Sequence, residues 1–145
     1  MNNLKNARKT LNKIPHINCG GCGISALALA RWIKKNQPEN KAKIIFMYSE
    51  DKVNLYNRNE AKLLIGNTEE LFAPNHACIF YNNLYIDSNC FFKRSDFKFF
   101  QEIKSEQLLL DAINNIGTWN EDFKRENITK IEILLDINLS DVRRG

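Results

Sequence analysis

Apolar residues recur along this chain at two spacings, and the spacings predict its elements. Between residues 3 and 12, Leu4, Ala7 and Leu11 fall at i, i+3 and i+7, which is one face of an amphipathic helix. Pro15 breaks the chain after it. From Cys22 to Lys35 the run is apolar nearly all round: Ile24, Ala26 to Ala30, Trp32 and Ile33, interrupted by Ser25 and Arg31. A helix with so little polar face is a buried helix. Lys34 and Lys35 fall in its last turn, where the helix dipole favours cations.

The spacing then changes. "AKIIFMYS", residues 42 to 49, predicts a strand, and "RNEAKLLIGN" a short helix closed by Gly66. "NHACIFYNNLYIDSN" predicts a hairpin: two apolar runs flank Asn82 and Asn83, residues that tolerate left-handed turn geometry. "DFKFFQEI" predicts another strand. "SEQLLLDAINNI" predicts a helix with Ser105 as its N-cap. "TKIEILLDINL", residues 129 to 139, predicts a strand, and the terminal "SDVRRG" is expected to fray. Helices come first and strands mostly after, so the expected class is α+β, with an N-terminal buried helix packed on an antiparallel β-sheet.

Length and composition narrow the picture. The 145 residues suit one domain, 1–145, and no repeat or Pro/Gly-rich linker divides them. Hydrophobic content of 43% with 26% charged residues is that of an ordinary globular protein. No apolar run reaches eighteen residues, so no membrane partner is expected. The N-terminus lacks the apolar centre of a secretory signal, so the expected location is the cytoplasm. Net charge is +4, but the basic residues are scattered without a dense stripe, which argues against a nucleic-acid partner. "GGCG" has no lysine after its glycines, so it is no phosphate loop, and no cofactor is expected. Richness in Asn, Lys and Ile fits an AT-rich genome, and small stand-alone domains of this composition occur in bacteria and phages.

Candidate chemistry starts at "HINCGGCG", residues 16 to 23, where thiols stand directly before the buried helix. A helix start favours the thiolate form of a cysteine, and Cys22 falls at that junction. A nucleophilic thiol also needs a base, and the base an orienting group. With Asn82-Asn83 as a two-residue turn, Phe80 faces Tyr85, Ile79 faces Ile86 and Cys78 faces Asp87. Alternation then puts His76, Cys78, Phe80 and Asp87 on one face, with His76 and Asp87 diagonal neighbours roughly 7–8 Å apart at the backbone. Two other readings compete. Cys19 and Cys22 have zinc-knuckle spacing and would be completed by His76 with Cys78 or Cys90, although His-x-Cys is poor spacing for the second half. A redox pair needs a strand before the cysteines, and "LNKIPHIN" is a poor one. Taken singly, Cys78 and Cys90 read as small packing residues.

Together, "NCGGCGISALAL" and "NHACIFYNNLYIDS" resemble the papain-like cysteine peptidase superfamily, in the compact form shared by NlpC-type and transglutaminase-like enzymes. The resemblance covers about a quarter of the chain. It implies a papain-like core and a thiol peptidase cleaving peptide or isopeptide bonds of a protein or peptide substrate, with Cys22 as nucleophile, His76 as base and Asp87 orienting it. Papain relatives carry an oxyanion-donating glutamine six residues before the nucleophile; here His16 stands there, and a ring N–H can donate the same bond. Bacteriocin-processing peptidases, another branch, begin with Asp-Cys-Gly, and by that alignment Cys19 is the nucleophile. Cys22 is preferred because the apolar helix starts immediately after it. A papain-like scaffold that binds without catalysing is the remaining alternative.

Overall fold

The computed structural model describes residues 2–15, 17, 21–39, 41–48, 74–88, 91–92, 99–115, 119 and 125–143. Helix α1 (Asn2–Asn12) turns Leu4, Ala7 and Leu11 into the core, as their spacing requires. Helix α2 (Cys22–Asn36) is buried from Gly23 through Leu29 and again at Trp32 and Ile33. It stops at Gln37, whose N–H still bonds the Ile33 carbonyl at 2.7 Å, and Pro38 follows, disfavouring further helix.

The strands are β1 (Lys43–Tyr48), β2 (His76–Tyr81), β3 (Leu84–Ile86), β4 (Phe91–Phe92) and β5 (Phe99–Ile103). Among the described residues they form one antiparallel sheet in the order β4-β3-β2-β1-β5. Interior strand β1, between β2 and β5, is buried from Ile44 to Tyr48. Its alternation divides the apolar residues between two faces. Ile44, Phe46 and Tyr48 join Ala77, Ile79 and Tyr81 of β2 in the main core, which extends from Leu4 to Val142. Ile45, Met47 and Cys78 form a second cluster with Phe80, Tyr85 and Phe100. Asn82 and Asn83 both have positive φ, 51° and 64°, the geometry of a type I′ turn. The predicted register follows, with Ile79 opposite Ile86 and Phe80 opposite Tyr85.

Helices α3 (Glu106–Asn115) and α4 (Arg125–Leu135) complete the described elements. The α+β class and the helix after Ser105 agree with expectation; the helix predicted over 58–67 lies outside the described residues. Two expectations are corrected. Residues 129–139 are not a strand: α4 occupies this region through Leu135. The buried set is Ile128, Ile131 and Leu135, at i, i+3 and i+7, while Ile133 is 73% exposed. The apparent alternation of Ile131, Ile133 and Leu135 was therefore half of a helical pattern whose first member, Ile128, lies before it. The helix ends with Asp136 at φ 52° and the Ile137 N–H bonded to the Glu132 carbonyl at 3.2 Å, a left-handed C-cap.

Nor do residues 140–143 fray. Val142 is 2% exposed, the Arg143 N–H bonds Asn114 Oδ1 at 2.8 Å, and Arg125 Nη1 donates to the Val142 carbonyl at 3.0 Å. Arg31 of α2 grips Asp141 with both terminal nitrogens at 2.8 and 2.7 Å and also reaches Glu106 and the Asn138 carbonyl.

Candidate active site

Helix α2 and strand β2 pack against each other, and two contacts fix their relative direction. At one end, the Tyr81 hydroxyl at the close of β2 donates to Gln37 Oε1 just past α2. From Gln37 back to Cys22 the helix covers about 22 Å, and from Tyr81 back to His76 the strand covers about 17 Å. The two elements are thus similar in length and run the same way. At the other end Cys22 and His76, their first residues, lie near enough that the Cys22 side chain acts on the imidazole and helps raise its pKa.

Local structure holds each partner in place. Cys22 is half-buried, a free thiol packed on the edge of the main core. The preceding N-cap is Gly21, which has no side chain to occupy the N–H groups of the first turn, so they remain directed at the thiol's end of the helix. An added Cβ on Gly21 would strike the Ile17 carbonyl, and one on Gly23 would lie 2.6 Å from the Trp119 ring and 2.9 Å from Ile113. Glycine at these two positions lets the loop and the first helical turn approach their neighbours closely.

His76 Nε2 lies 3.0 Å from Asp87 Oδ2, a charge-assisted hydrogen bond between the two strands of the hairpin. The two side chains are 23% and 14% exposed, sheltered yet within reach of solvent. Burial by itself lowers the His76 pKa, but hydrogen bonds to Asp87 and Cys22 and the charges of both outweigh it and raise the value to about 9. The ring is therefore protonated at neutral pH.

Of the three residues singled out in the sequence, His76 and Asp87 are hydrogen-bonded and Cys22 lies near enough to influence His76. Cys78 shares the site's face but is fully buried; burial first, then the charges of Asp87 and Cys22, push its thiol pKa far up, which suits the packing role read from the sequence. His16, Cys19 and Cys90 lie outside the described residues, and so does the completed zinc set. Among the described residues, no group of three or more His, Cys, Asp or Glu side chains could hold a metal ion. One contributor escaped the sequence reading: Arg8 of α1 donates from Nη1 to the Ser88 carbonyl at 3.3 Å, tethering the backbone immediately after Asp87. In the sequence it was one of several scattered basic residues, and only packing reveals its target.

No protein-family model, curated protein or solved structure matches this chain. The site is therefore interpreted from its own geometry.

Proposed function

We propose that the protein is a cysteine hydrolase with a papain-like catalytic arrangement, acting on a peptide or isopeptide bond in a protein or peptide substrate. One observation carries the reading: an imidazole gripped by a carboxylate lies within the influence of a cysteine side chain at a helix start. Cys22 Sγ attacks the substrate carbonyl carbon with its proton held by His76, and the C–S bond forms as the carbonyl π electrons move to oxygen. N–H groups of the α2 first turn, that of Cys22 foremost, stabilise the oxyanion. Collapse breaks the C–N bond, and His76 gives its proton to the leaving amine. Water then attacks the thioester, its proton passes to His76, and the acid and free thiol are released. Asp87 holds the ring's orientation throughout. The same parts serve deamidation and acyl transfer to an amine. The reading includes a cytoplasmic, reducing setting, where Cys22 persists as the free thiol it is here. No helix among the described residues is long and apolar enough to cross a membrane.

Iodoacetamide labelling near pH 7, followed by peptide mass spectrometry, tests the proposal. Cys22 should be alkylated about tenfold or more faster than the other cysteines, and His76→Ala should abolish that advantage. Uniform slow labelling of the wild-type protein, unchanged by His76→Ala, rejects the hydrolase in favour of a binding module. Stoichiometric zinc in the purified protein rejects it in favour of the metal reading.

A further inference from the structure

The far end of α2 carries a second constellation. A cavity of about 570 Å³ opens between the last turns of α2, the start of β1 and the end of β5, a volume in the range of ligand sites. The apolar surface it presents comes from Ala30, Pro38 and Ala42, over Ile33, Ile44 and Ile103, which lie buried in the main core beneath. Four lysines also line it: Lys34, Lys41, Lys43 and Lys104, all exposed. Lys34 is twelve residues along α2 from Cys22, about 18 Å at the helical rise, so this cavity is separate from the thiol.

Its charge is unbalanced. Two acids line the cavity, and both are already paired: Glu102 lies 3.4 Å from Lys43, and Glu106 lies 2.6 Å from Arg31. Among the described residues, Lys34, Lys41 and Lys104 have no acidic partner. Three like charges around one apolar hollow repel one another unless an anion is present. The nature of the wall selects among anions. Among the described residues, no aromatic side chain lines the cavity for a base to stack on, and no arginine offers the planar fork that grips a phosphate. Aliphatic wall and point-charge rim instead match carboxylates alternating with an apolar side chain.

We propose that this cavity binds an acidic peptide segment of a protein partner, seating an aliphatic side chain on Ala30, Pro38 and Ala42 while its flanking carboxylates pair with Lys34, Lys41 and Lys104. The site stands whether or not Cys22 is a nucleophile. Fluorescence anisotropy of a fluorescein-labelled pentapeptide, three glutamates alternating with two leucines, tests it on the full chain. Binding should be saturable, weaken with added salt, and fall about tenfold in the Lys34→Glu/Lys41→Glu/Lys104→Glu variant, which corresponds to roughly 1.4 kcal/mol over three exposed ion pairs. The substituted positions are exposed, so the fold is retained. Equal binding by wild type and variant, or none by wild type, overturns the proposal. So does equal binding of a peptide with serine in place of leucine, which would reduce the site to bulk charge attraction. Tighter binding of a short single-stranded oligonucleotide through the same lysines overturns it in favour of nucleic acid.

Discussion

The imidazole of His76 is set by a contest between shelter, which disfavours its charge, and two neighbours that favour it. The neighbours win, and the pKa rises to about 9 from an ordinary 6.5. A value raised by folding stabilises the native state fully below 6.5, and that stabilisation is lost as pH climbs through 9. Urea denaturation should therefore show stability falling between pH 7 and 10, by up to about 3 kcal/mol from this group, and Asp87→Asn should flatten the decline. A pH profile identical in the two proteins rejects a direct role for Asp87. The His76–Asp87 pair was legible in the sequence because hairpin parity is local: a two-residue turn determines which side chains meet. Arg8 was not legible, since its carbonyl acceptor lies 80 residues away and depends on how α1 docks.

Among the elements, the hairpin turn has the most direct hold on the site. Asn82 and Asn83 both occupy left-handed backbone, which asparagine tolerates and glycine adopts without a Cβ penalty. Asn83→Gly should raise stability by about 0.5–1 kcal/mol, seen as a rise of a few degrees in Tm, and Asn83→Val should lower it. One extra residue in the turn would have a different effect. It would flip Asp87 to the opposite face and leave His76 without its carboxylate. α4 shows where element reading fails. β-branched and apolar residues alternating over a short window match a strand, and only the wider helical period from Ile128 to Leu135 identifies the helix. Window length, not residue chemistry, caused that error.

At the scale of the molecule, α2 is the element on which the rest converges. Its first residue meets the hairpin, its middle packs on the sheet and α3, and Arg31 and Lys35 near its end hold the C-terminal segment, Lys35 through Asp136 at 2.7 Å. A polar-looking tail became structural because its single apolar residue, Val142, found a site that Arg125 and Asn114 seal from outside. Val142→Ala should cost about 2 kcal/mol by urea denaturation, whereas a frayed end would register nothing. Sequence pattern does not report such anchoring, because the partners come from three separate helices.

His76 and Asp87 belong to one hairpin, eleven positions apart and joined by a single turn. On the proposed reading, the half of the site that handles the proton is thus a contiguous module, while the sulfur is recruited from a remote helix. Grafted onto another two-stranded ribbon, residues 76–87 would bring the aligned ring and carboxylate but not Cys22. Loosening the docking of α2 would likewise disarm the protein while leaving the pair assembled.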